Sequence, residues 1–378
     1  MFSFGSMCVK LPDADRIAKF PRDTPDPPDS EDNYVHASPH HIEQDECVWL
    51  PDGDIILLPR NEAIGFCVYR EVLERESRVL KDEIARQLPT AVTTADGRPA
   101  ICMPDTTHEL ETLLTALFMG KDYYHVADKP AAISFIYLSA LVRMGHKYEI
   151  QDLVDEGIAR LKKYYPTNPM KWENIRRRET YLETCATAAP RVIALARLTD
   201  TPILLPGALL DCCMLATLTE ADMFLRNATG PIHCSELKEL PSDMRARVMA
   251  GTALLTTARA ARTLGVLRTV PDSCCRQPER CALAVQRTLQ DIDMDSLREA
   301  TRVRHWYEPL HAWLWEDGEG TLCRMCNAAA TQADATMRME EWINLPKTFD
   351  IEVEGWPESV HAIRTDTISK FKGSRYLY

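Results

Sequence analysis

Residues 52–73 read DGDIILLPRNEAIGFCVYREVL, and this stretch decides the fold. Asp52-Gly53 is a turn signal, and Ile55, Ile56, Leu57 and Leu58 behind it form a short apolar run of strand type. Asn61-Glu62 makes a second turn, so Ile64 to Tyr69 reads as the hairpin partner. From Arg70 to Leu88 the pattern becomes helical, with Val72, Leu73, Val79, Leu80 and Ile84 as its apolar set.

Working outward, Asp96-Gly97 is a third turn, and Ala100 to Met103 is another strand, ended by Pro104-Asp105. Thr106-x-x-Glu109 has capping-box spacing ahead of Leu110, Leu113, Leu114 and Leu117, so a helix opens there. After Gly120-Lys121-Asp122 comes an apolar helix over Ala131–Met144, with Gly145 as its expected C′ residue. Leu153, Val154, Ile158 and Leu161 share one face of the next helix, which Tyr164-Tyr165-Pro166 closes. The order predicts an α+β unit of about 120 residues, an ordinary domain size.

From Asn168 the sequence predicts helices only. Asn168-Pro169 is a cap followed by proline at N1. The spans expected are Met170–Thr187, Pro190–Leu198, Pro206–Thr217, Pro241–Leu267, Pro278–Asp291 and Arg324–Leu345. Residues 346–378 lose periodicity and read as a loose tail.

The first unit resembles the BTB/POZ domain. Asp52 to Leu57 looks like that family's opening strand, and Phe66 to Leu73 like its second strand entering the first helix. Ser77 to Asp82, Ile101 to Asp105 and Leu113 to Gly120 follow in register. Leu141 to Leu153 (LVRMGHKYEIQDL) resembles the family's best-known stretch. Tyr69 stands where the family usually carries histidine. The second half is similar to the helical region that follows this domain in many fungal BTB proteins. The pieces that match are Val192 to Arg197, Leu205 to Cys213, Leu240 to Gly251 and the cysteine pairs described below.

The resemblance implies a small sheet flanked by helices over residues 47–168, then an all-α region over 169–345. It implies a non-catalytic protein–protein interaction module that homodimerises through the BTB domain. Two roles found in such families are alternatives: substrate adaptor of a cullin-type ubiquitin ligase, and transcription-associated regulator.

Composition bounds the partners. The chain has 378 residues, 45% hydrophobic and 26% charged, which are ordinary globular values. The formal net charge is −12, which disfavours nucleic acid as a partner. Residues 1–46 carry ten acids and four bases, a net of −6, with six prolines and no periodicity. They read as a disordered acidic arm, with His36, His40 and His41 in a solvated linker. No apolar run approaches the ~18 residues a bilayer span needs, and the first residues lack the marks of a signal peptide. The expected setting is intracellular, cytoplasm or nucleus, where the thirteen cysteines are mostly reduced.

Four of those cysteines have metal-ligand spacing. Cys275 and Cys281 make C-x5-C, with Cys274 as an alternative first ligand, and Cys323 and Cys326 make C-x2-C. Two pairs brought together supply the four soft ligands of a structural zinc. The competing reading is four small buried apolar side chains. Thioredoxin-like chemistry is disfavoured, because no βαβ pattern precedes the C-x2-C. His305 and His311 lie between the pairs and could replace one thiolate. Cys47, Cys67, Cys102, Cys185, Cys212 and Cys213 read as core.

Arg176-Arg177-Arg178 and the seven arginines of residues 245–280 could present a phosphate-binding face, though a solvated helix surface is the simpler reading. Trp306, Tyr307, Trp313 and Trp315 are expected to pack a core. GxGxxG, GxxxxGK[ST], GxSxG and HExxH are all missing from the sequence. No catalytic residue is assigned, and an enzyme in the helical half remains only as an alternative.

Overall fold

The computed structural model describes residues 42–60, 64–119, 132–183, 188–217, 235–291, 306–310 and 322–359. Most of the acidic arm, His36, His40, His41, Gly120-Lys121-Asp122, Cys185, His305, His311, Trp313, Trp315 and the end of the tail lie outside them. The protein is a mixed α+β chain with a small sheet and many helices. It divides into two compact units. One takes in described residues up to 119 together with 136–157, and the other takes in 132–135 with the described residues from 158 onward.

In the first unit, strands β1 (Glu43–Trp49), β2 (Ile55–Leu58) and β3 (Ile64–Val68) lead into helices α1 (Arg70–Glu76) and α2 (Arg78–Gln87). Strands β4 (Val92–Thr93) and β5 (Pro99–Cys102) and helix α3 (Thr107–Phe118) follow. The sheet order is β1-β3-β2-β5-β4. The β2–β3 pair is the antiparallel hairpin read from the sequence, with Ile56 opposite Cys67. The turn that leads into β2 needs Gly53: a Cβ there would meet the Cys67 sulfur at 2.8 Å and the Val68 backbone at 2.9 Å. Strand β5 runs parallel to β2, the right partner for a chain that has crossed over through two helices.

The helix expected over Arg70–Leu88 is two helices. Ser77 sits between them in extended conformation and accepts a hydrogen bond from the Leu80 amide, so it starts a new helix. Asp54, across the hairpin, caps α1 by accepting from the Arg70 amide at 2.7 Å. The capping box at Thr106 and Glu109 is present as predicted. Leu73, Leu80 and Ile84 pack with Leu110, Leu113 and Leu114 against Phe66, Val68 and Ile101 to form the core.

Helices α4 (Phe135–Lys147) and α5 (Gln151–Tyr164) come next, and the division between the units falls inside α5 rather than at residue 168. The apolar run begins as strand β6 (Ile133–Ser134), so the expected helix starts late. Gly145 lies inside the last turn of α4; the helix exits through Glu149, whose φ is +54°. Another correction concerns the arm: Glu43, Gln44, Asp45 and Glu46, placed in disorder by their charge, belong to β1. Asp45 accepts from the amides of Cys47 and Val48 at 2.8 Å, which fixes this stretch locally.

The second unit is mostly helical. Its elements include α6 (Pro169–Trp172), α7 (Ile175–Glu179), β7 (Leu182–Glu183), α8 (Ala188–Leu198), α9 (Leu205–Ala216), α10 (Ser242–Leu267), α11 (Pro278–Asp291), α12 (Arg324–Ile343) and α13 (Leu345–Thr348). The single helix expected over Met170–Thr187 is overturned. Asn174 caps a fresh helix by accepting from the Arg177 amide, and Leu182 then pairs in parallel with Ile133. Gly251 of α10 admits the Phe349 ring: a Cβ there would stand 2.3 Å from it. The start of the predicted loose tail is therefore packed. Phe349 is buried, and Trp356 is buried with its indole nitrogen donating to the Trp342 carbonyl at 3.1 Å. No helix among the described residues is long and apolar enough to cross a membrane.

Candidate metal centre

Three elements converge on four sulfurs. After α10, Cys275 sits in a turn closed by its amide on the Asp272 carbonyl. Cys281 lies on the first turn of α11, its amide bonded to the Gln277 carbonyl. Cys323 is the N-cap of α12, and Cys326 is the third residue inside that helix. An N-cap side chain folds back toward the N3 amide, which is why C-x2-C at a helix start aims both sulfurs at one point. The wide C-x5-C closes for a related reason: the first turn of α11 swings Cys281 back over the loop.

The Cys275 sulfur is 3.7 Å from that of Cys281 and 3.6 Å from that of Cys323. All four sulfurs lie within 4.8 Å of one another. A tetrahedron with ~2.3 Å Zn–S bonds separates its corners by about 3.8 Å. The spacing is too long for disulfides, and all four thiols are free. Three amides point at these sulfurs: Asp272 to Cys326 at 3.3 Å, Cys323 to Cys281 at 3.3 Å and Cys326 to Cys323 at 3.5 Å. Such bonds stabilise thiolate charge, and the N-termini of two helices add the same sign of field. The amide of Cys326 draws the Cys323 thiol down to about 7, whereas burial pushes Cys326 up to about 12 and raises Cys275.

Cys274 is not in the group. It is exposed, its amide turned onto the Asp272 carboxylate at 2.8 Å and its sulfur beside the Ser273 hydroxyl. Cys281 and Cys326 are fully buried, while Cys275 and Cys323 are partly buried. Behind the sulfurs, Val266, Leu267, Val270, Leu310, Leu322 and Ala330 form a small core. The four cysteines thus tie the end of α10 and the start of α11 to the start of α12.

A buried ion network holds α12 against α10. The Arg262 side chain reaches Glu341 at 2.7 Å and Asp334 at 3.3 Å, and it also donates to the Trp306 carbonyl. Asp334 accepts from the Leu310 amide at 3.1 Å. Arg338 bridges Asp334 and Glu173 and lies 5.2 Å over the Tyr307 ring. Burial pushes the Glu341 carboxyl up to about 7 and pulls Arg259 down to about 10. Trp306, Trp342 and Trp356 stack beside this network, with centroids 6.5 and 5.5 Å apart.

The arginine-rich stretch is split: Arg245, Arg268, Arg276 and Arg280 are exposed, the rest engaged within the unit. Arg259 and Arg262 are buried, and Arg247 bonds the Phe349 carbonyl. Arg178 is buried with its guanidinium 3.7 Å over Trp172, leaving Arg176 and Arg177 exposed alone. Cys67, Cys212 and Cys213 are core thiols as expected; Cys102 is exposed and Cys47 half-buried. A second grouping, Asp45, Cys47 and Glu111, is accounted for locally, because Asp45 already accepts two backbone amides. Sequence reasoning missed Asp334 and Glu341. Their i,i+7 spacing on α12, one face of the helix, was the available signal.

Comparison of the chain with family models, curated proteins and solved structures finds no match.

Proposed function

We propose that this chain is a non-catalytic protein–protein interaction protein. Its first unit would be a BTB/POZ-type module that self-associates, and its helical unit would be clamped by one structural zinc on Cys275, Cys281, Cys323 and Cys326. The four-sulfur geometry is the observation that carries the metal assignment. A mononuclear tetrahedral ion fits separations of 3.6–3.7 Å, and an all-thiolate donor set suits zinc. The metal would supply no chemistry beyond cross-linking, since four protein ligands leave no open position.

The interaction reading is supported by element order. A hairpin, the helices α1 and α2, strand β5 returning parallel to β2, and helices α3 to α5 occur in that order over residues 55–164; the resemblance implies this order with α1 and α2 as one helix. Light scattering on the purified full chain tests it. A homodimer at micromolar concentration is expected; a monomer throughout that range rejects self-association. Pull-down with purified cullin proteins separates an adaptor role from plain self-association.

A further inference from the structure

We propose that Cys275 and Cys323 form an oxidation site through which hydroperoxides discharge the zinc. This inference rests on the metal assignment above. The four ligands differ in burial: Cys275 and Cys323 are partly buried, while Cys281 and Cys326 are fully buried. The sulfurs of these two less buried residues are also neighbours, 3.6 Å apart, although 48 residues separate them in the chain. An oxidant arriving from solvent therefore meets a pair that can close on itself. Forming the bond needs the sulfurs to approach to ~2.05 Å.

The chemistry balances with a hydroperoxide as the named oxidant. One zinc-bound thiolate attacks the terminal peroxide oxygen, the O–O bond breaks, and a sulfenic acid forms. Water or an alcohol departs after taking one proton. The second thiolate attacks the sulfenic sulfur, the S–S bond forms, and hydroxide leaves as water with another proton. Two thiolates together lose two electrons and the peroxide gains them. Only Cys281 and Cys326, half of the donor set, would remain to hold a zinc, so the metal would be released. The new bond still joins the turn after α10 to the start of α12, while Cys281 of α11 is released. Thiol reduction and added zinc reverse it.

Cys274 is the natural control, being exposed next to Cys275 with its sulfur outside the tetrad. The experiment treats the zinc-loaded full chain with hydrogen peroxide. It follows zinc with a chromogenic chelator and maps disulfides by mass spectrometry without reduction. One zinc released per two thiols lost is expected, with a peptide pair linking Cys275 to Cys323. Cys281 and Cys326 stay alkylatable after denaturation, and Cys274→Ser behaves as the native chain does. Zinc that stays bound while other thiols oxidise overturns the inference and leaves the metal assignment standing. So does release accompanied by a bond to Cys274 or by overoxidation of single thiols. A chain that binds no zinc at the outset overturns both.

Discussion

Arg262 of α10 and Glu341 of α12 meet at 2.7 Å in the interior of the helical unit, with the arginine side chain wholly buried. Burying a charge is tolerated only with a partner, and here two acids and two backbone carbonyls share one guanidinium. Arg262→Ala leaves Asp334 and Glu341 buried without it. We expect a loss of about 3–5 kcal/mol in urea unfolding of the helical unit. Asp334→Asn with Glu341→Gln in the same chain should restore much of it. A loss well under 1 kcal/mol, or no rescue, would show that the network carries little of the packing.

The same pair predicts a pH dependence. Burial raises the folded Glu341 carboxyl from an ordinary value of 4.5 to about 7, against the pull of Arg262 and Arg259. Between those values the folded state holds a proton that the unfolded state has released. Stability from this group is therefore complete below pH 4.5 and is lost as pH rises through 7. Relative to Glu341→Gln, the native chain should lose up to about 3 kcal/mol across that window. Taking the difference between the two proteins cancels the acid lability of the thiolates. A flat difference curve refutes the shift.

The packed start of the tail makes its own prediction. Trp356 is buried, stacks 5.5 Å from Trp342 and donates to its carbonyl. Trp356→Ala should cost about 3–5 kcal/mol, as large aromatic truncations in cores do. Removing residues from 360 onward serves as the contrast and leaves this contact in place. Thermal unfolding of the two proteins decides; equal melting would mean that Trp356 contributes no packing.

In the first unit, Thr106 accepts from the Glu109 amide while Glu109 reaches back to the Thr106 amide at 3.1 Å and pairs with Arg143 at 2.9 Å. Thr106→Ala should destabilise this unit by about 1 kcal/mol. Amide exchange in the first turn of α3 is the readout, and unchanged protection there contradicts the cap.

The elements legible in the sequence were those with strong local signals. The turn at Gly53 with the β2–β3 hairpin behind it, the capping box at Thr106 and the long helices α10 and α11 all announced themselves within a few residues. What stayed hidden depends on distant partners. Strand β1 is acidic and becomes a strand by pairing with β3. Ser77 interrupts a continuous helical pattern because its hydroxyl also donates to the Tyr148 carbonyl at 2.6 Å, a contact 71 residues away. Leu182 joins β7 only because Ile133 lies alongside it. Arg259 and Arg262 of α10 and Arg178 of α7 read as solvated charge but are buried, since nothing local foretold Asp334, Glu341 or the Trp172 ring. The cysteine tetrad was legible as two spacings, and the choice of Cys275 over Cys274 needed the turn at Asp272.

The direct test of the metal assignment is the metal content of the purified full chain, measured by elemental mass spectrometry beside Cys323→Ser and Cys274→Ser. One zinc per chain is expected in the native protein and in Cys274→Ser, with loss of that zinc in Cys323→Ser. A native chain without zinc, or zinc that Cys323→Ser leaves untouched, would contradict the assignment.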